Sequence, residues 1–118
     1  MGGYGALRVY DYCRDIFDGL AVFSGHYNMP NLFNVENGID YSINSNMERL
    51  KGVSAIFFHG IEDTTCTFKE MNEFLNRLTL VNNKVKVVFG ENGHSPLNLS
   101  WYENYLEWIR GVEANQIV

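Results

Sequence analysis

The chain has 118 residues, 46% of them hydrophobic, 14% aromatic and 19% charged, a balance that excludes a disordered polymer and implies one packed domain. Its net charge of −5 and pI near 5.0, with the nine Lys and Arg scattered singly, leave no basic stripe for a phosphate backbone, so nucleic acid is excluded as a partner. No window approaches the ~18 apolar residues of a membrane span and no leader pattern opens the chain, which makes the cytoplasm the default compartment.

Leu7, Tyr10, Cys13 and Phe17 recur at helical spacing, which predicts a helix near 3–17 with Gly19 as its C-cap. Leu20-Ala21-Val22-Phe23-Ser24-Gly25 then reads as a buried strand near 20–25. From His26 to Ile43 no period is present, and the run is rich in Asn, Gly and Pro; it is expected to be a long loop, followed by a short helix from Asn44 to Leu50. A second apolar run predicts a strand near 53–59. Thr67 and Glu70 have capping-box spacing, so the next helix should span 67–81, with Phe68, Met71, Phe74 or Leu75, and Leu78 facing inward. Val85 to Phe89 gives a third strand, near 85–90, and the Ser100 and Glu103 pair announces a helix near 99–113 carrying Trp101, Tyr105, Trp108, Ile109 and Val112 on one face.

Alternating helices and apolar strands predict an α/β fold with about three parallel strands and right-handed crossovers, in a single domain over residues 1–118. Such a domain ordinarily opens on a strand, and this chain opens on a helix. Active-site residues of parallel sheets stand on loops beyond the C-terminal strand ends. Here these are His59-Gly60-Ile61-Glu62-Asp63 and Gly90-Glu91-Asn92-Gly93-His94. Neighbouring strands lie about 4.8 Å apart, so Asp63 and His94 can meet across the sheet top. A carboxylate beside an imidazole fixes its tautomer and stabilises the imidazolium formed when it takes a proton, which is the supporting pair of a nucleophile. Acid before base, each just after a strand, is the order that α/β-hydrolases use after their nucleophile.

The opening Met1-Gly2-Gly3-Tyr4-Gly5-Ala6-Leu7 resembles the second half of the nucleophile elbow G-x-S-x-G of the α/β-hydrolase superfamily, as found in esterase D, feruloyl esterase and related esterases. Residues 17–25 resemble the sixth strand of that family, His59 to Asp63 its acid loop, and Gly93-His94 with Trp101 its histidine loop and final helix. The resemblance covers nearly the whole chain and implies a partial α/β-hydrolase fold. It implies that Asp63 is the triad acid, His94 the general base, Gly2 the elbow glycine and Met1 an oxyanion-hole position. The nucleophile serine is then expected immediately before Met1, so that the chain is the C-terminal portion of a hydrolase domain, inactive alone, whose intact form acts on small carboxylic esters. It implies no cofactor. A sheet beginning at Leu20 would leave a bare edge, suited to a homodimer or to an upstream N-terminal half.

Other readings of the same residues are weaker. His59, at the end of a buried run, suits a hydrogen-bonding role at the sheet rim, and His26 should be solvated; both are also candidates to line a substrate. Ser24 follows a strand but lacks the glycine two residues before it that an elbow requires. The opening glycines do not follow a strand, which argues against a dinucleotide site. Glu62, Asp63 and Cys66 show no recognised metal-ligand spacing, so no metal is expected, and Cys13 and Cys66 read as two buried thiols. A non-catalytic α/β binding or structural domain that retains the hydrolase fold, and an unrelated flavodoxin-like domain, are the competing assignments.

Overall fold

The three apolar runs form a parallel sheet because each is short, continuous and connected to the next through a helix or helical turn. The computed structural model describes residues 2–27, 38–41, 43–95 and 98–117. In chain order these form α1 (Gly2–Tyr12), β1 (Leu20–Phe23), a 3₁₀ helix (Asn44–Leu50), β2 (Ala55–Gly60), α2 (Phe68–Leu78), β3 (Val85–Gly90) and α3 (Leu99–Ile117). The strand order is β1-β2-β3, with Leu20 opposite Ala55, and Ala55 opposite Val85. All six residues of the central strand are buried.

Strand alternation sends Phe57 to one face and Ile56 and Phe58 to the other. The first face is the larger core: Tyr4 and Leu7 of α1 and Met71, Phe74 and Leu78 of α2 pack there with Val22 and Phe57. Trp101 of α3 covers Ile56 and Phe58 on the second face, joined by Phe23, Tyr105 and Trp108. The result is the expected α/β arrangement, with helices on both faces of a three-stranded sheet. Asp11 fastens α1 to the segments after β1: its Oδ2 accepts from the Tyr41 hydroxyl and from Arg49, each at 3.1 Å.

Several boundaries differ from the sequence expectation, those of the first and last helices the most. The first helix stops at Tyr12 rather than 17, because its end outruns the sheet: Tyr12 is 87% exposed and Ile16 73%, so further turns would gain no burial. Gly19 is therefore not its cap. It permits a close approach, since a Cβ there would lie 2.9 Å from the Trp108 ring and 3.1 Å from the Ser54 carbonyl. The last helix begins at Leu99 and runs to Ile117, with Ser100 inside its first turn; Asn98 caps it by accepting from the Trp101 N–H at 3.3 Å. By contrast Thr67 does cap α2, accepting from Glu70 N. The Glu70 carboxylate in turn accepts from Tyr27 N at 2.8 Å, pinning the exit of β1 to α2. The short helix from Asn44 to Leu50 is present as a 3₁₀ helix. Much of the expected loop between His26 and Ile43, and Met1, lie outside the described residues.

Candidate active site beyond strands β2 and β3

Strands β2 and β3 end level with each other, Gly60 paired with Gly90. The chain leaves β2 in a tight turn, Asp63 N donating to Gly60 O at 3.2 Å, and Ile61 N still bonds to Gly90 O at 2.9 Å. Glu62 N donates to Asn92 O at 3.3 Å, so the acid loop and the histidine loop are laced backbone to backbone. Such lacing needs glycine: a Cβ on Gly60 would overlap the carbonyl oxygens of Asn92 and Gly93. Asn92 folds the second loop on itself by donating to the carbonyls of Gly93 and Ser95, both at 3.0 Å, and is held by Asn98 Nδ2 at 3.0 Å.

The consequence is that Asp63 and His94, 31 residues apart, meet. His94 Nδ1 donates to Asp63 Oδ2 at 2.9 Å. The Asp63 side chain is fully buried, whereas that of His94 is 46% exposed. Burial alone would raise the Asp63 pKa; the hydrogen bond from His94 and those from Cys66 N and Thr65 N outweigh it and hold the carboxyl below its ordinary value. The two amides donate to Oδ1 at 2.8 and 2.9 Å, which leaves Oδ2 for the imidazole. With its proton on Nδ1, His94 keeps a lone pair on Nε2. That is the tautomer of a general base.

Gly2, Gly3, Ala6, Ala21, Phe23, Ser24 and His94 line a cleft of 280 Å³. It joins the N-terminus of α1 to the dyad. Gly2 stands in it with open space where a Cβ would point; the crowded glycine is Gly3, whose Cβ would lie 2.5 Å from Gly25 Cα. A larger cleft, 720 Å³, opens at the other end of the strands, beside Ser54, Lys84 and Trp108, and holds neither Asp63 nor His94. Since parallel sheets bind ligands beyond the C-terminal strand ends, the smaller cleft is the relevant one.

His26 is buried, 6% exposed, with Nδ1 at 3.5 Å from Glu70 Oε2, so the expectation of a solvated side chain fails. His59 is fully buried and donates from Nε2 to the Cys66 carbonyl, as suits a residue at the sheet rim. Neither is among the described residues lining the cleft. Ser24, which lacks the sequence signature of an elbow, nonetheless has one structural property of it: φ is +56°, and its hydroxyl is buried with no hydrogen-bond partner among the described residues. Cys66 is buried behind Asp63, and burial, then the Asp63 carboxylate, push its thiol up to about 11.

No protein-family model matches the sequence, and no curated protein does. Solved structures do. A thermostable esterase superposes with a TM-score of 0.63 at 16% identity, covering 96% of this chain and 28% of that one. An esterase from Pyrococcus furiosus superposes with a TM-score of 0.61 at 15% identity, covering 94% of this chain and 47% of that one. The chain thus shares the fold of a part of these hydrolases, and spans less than half the length of either. Among the described residues no helix is long and apolar enough to cross a membrane.

Proposed function

We propose that this chain supplies the acid and base of a serine carboxylic ester hydrolase, Asp63 and His94. The nucleophile serine belongs immediately before Met1, where the elbow resembled by Met1 to Ala6 would place it. The observation that carries this reading is the 2.9 Å hydrogen bond from His94 Nδ1 to a buried Asp63, beside a cleft that also contains Gly2 and Gly3 at the start of α1. A serine preceding Gly2 by two residues would enter that cleft from the helix side. His94 would then take its proton through Nε2, and Asp63 would stabilise the imidazolium. The Met1 amide, as a peptide N–H following the serine, would donate to the oxyanion.

Triad members act as a unit, and catalysis without the nucleophile depends on an intact oxyanion hole and substrate site. The purified 118-residue chain is therefore expected to give no appreciable turnover of short-chain p-nitrophenyl esters. Turnover comparable to that of a full-length esterase would overturn the reading. The coding DNA upstream provides a second check: an in-frame G-x-S ending just before Met1 is expected, and any other reading frame or sequence there would count against it.

A further inference from the structure

We infer that Asp63, Cys66 and His94 form a binding site for a thiophilic divalent cation of the zinc and cobalt class, and that occupation silences the base. One ligand atom from each residue lies within 4.8 Å of the other two. A search by sequence spacing misses this set, because Asp63 and Cys66 come from the turn after β2 and His94 from the loop after β3.

The donor set decides the class of ion. A carboxylate oxygen, an imidazole nitrogen and a thiol sulfur are ligands that zinc takes at three corners of a tetrahedron, leaving the fourth to water. Calcium and magnesium prefer oxygen ligands throughout and gain nothing from sulfur. Donors bonded to one zinc ion are about 3.3 to 3.6 Å apart, given bonds of about 2.0 to 2.3 Å. The Asp63 and His94 atoms, hydrogen-bonded at 2.9 Å, need only part by a few tenths of an ångström to reach that separation.

The surroundings hold these ligands in place. Asp63 Oδ1 is fixed by the amides of Thr65 and Cys66, which leaves Oδ2 to exchange its hydrogen bond from His94 for the ion. His59 holds the Cys66 carbonyl and stands 3.6 Å from Asp63 Oδ2, an outer-shell partner to two of the three ligands. Entry is from the His94 side, where the imidazole is 46% exposed.

Binding forms bonds from the ion to Asp63 Oδ2, to Cys66 Sγ and to His94 Nδ1, and it releases the thiol proton to solvent. The Nδ1 proton moves to Nε2 by way of water. His94 is then a donor at Nε2 and cannot accept a proton from a nucleophile, which is the wrong tautomer for the proposed reaction. This regulatory consequence rests on the esterase reading; the metal site does not.

The test is a cobalt(II) titration of the full chain under a thiol-free reductant. A sulfur-to-cobalt charge-transfer band in the near ultraviolet is expected, with visible bands of tetrahedral intensity and a one-to-one end point. The charge-transfer band should vanish in Cys66→Ala and persist in Cys13→Ala. His94→Gln, with its fold checked by circular dichroism, should weaken zinc in competition with a chromophoric chelator at least tenfold. Nitrogen-15 spectra of the His94 ring should move the proton from Nδ1 to Nε2 on zinc addition. A saturated wild-type protein without the thiolate band, a band that survives Cys66→Ala, or unchanged affinity in His94→Gln would each overturn the site. A folded Cys66→Ala is checked by circular dichroism; should it unfold, His94→Gln and the ring spectra still decide. Failure of the ester assays alone would leave all these readouts in place.

Discussion

Gly60 is the residue on which the meeting of Asp63 and His94 depends, although it carries no functional group. Its missing Cβ is what admits the Asn92 and Gly93 carbonyls. In Gly60→Ala the histidine loop must move outward, at a cost of about 1–3 kcal/mol for overpacking. Urea unfolding should show that loss, and the His94 Nδ1 proton, resolved through its nitrogen-15 coupling, should lose the downfield shift that its hydrogen bond to Asp63 confers. Unchanged stability together with an unchanged ring signal would contradict this account. Asp63 and His94 were legible in the sequence because each stands just past an apolar run, and position relative to a strand end can be read without coordinates. Gly60, Asn92 and Cys66 were not legible as parts of the site, since their roles arise from one loop packing on another. The positive φ of Ser24, next to the close approach of Gly25 and Gly3, was not legible either.

Between β1 and α2 the fold buries two tyrosines whose hydroxyls favour the neutral form. Tyr27 stacks on Phe74 at 4.0 Å, and burial, followed by the Glu70 carboxylate, raises its pKa well above the ordinary value. Burial also pushes Tyr41 up, against the lowering effect of Arg8, to about 12. A folded pKa above the unfolded value of about 10 means that these groups stabilise fully below pH ~10 and lose that contribution as pH rises through the folded value. Stability is therefore expected to fall on the alkaline side, each tyrosine adding a slope of up to about 1.4 kcal/mol per pH unit. Tyr41→Phe should flatten the limb between pH ~10 and ~12 while costing about 1 kcal/mol at neutral pH through its lost bond to Asp11. An equally steep limb in Tyr41→Phe, measured by urea unfolding across that range, would refute the assignment. Elements with one long apolar stripe, such as α2, were read correctly from sequence. The end of α1 was not, because the periodicity of Cys13 and Phe17 continues beyond the sheet that could bury it.

At the scale of the whole molecule, a chain that matches parts of larger hydrolases has a sheet with β1 at one edge. Among the described residues β1 pairs with β2 alone. Beside this edge Ala6, Val9, Tyr10, Phe17, Gly19, Leu20 and Ala21 line an apolar cleft of 220 Å³. Val9 is 53% exposed and Phe17 43%, which extends the apolar surface beyond the cleft. The opening on a helix, legible from sequence, foretold this edge; the apolar cleft along it was not foretold, because residues from α1 and β1 line it together. Unpaired strand groups and adjoining apolar side chains are a template for another strand. We propose that isolated chains associate there as a homodimer, β1 against β1 across a twofold, whereas an upstream half would take the same place in a longer chain. A dimer is expected by light scattering at micromolar concentration. Ala21→Lys should disperse it, because a charge in the cleft would have to be buried unpaired on association; Ala21 is half-buried against the Trp101 core, so circular dichroism checks that the variant still folds. A monomeric wild type would overturn the dimer, and an Ala21→Lys protein as dimeric as the parent would move the contact elsewhere. Both outcomes would still leave the dyad on its own end of the sheet, since β2 and β3 position it without help from the β1 edge.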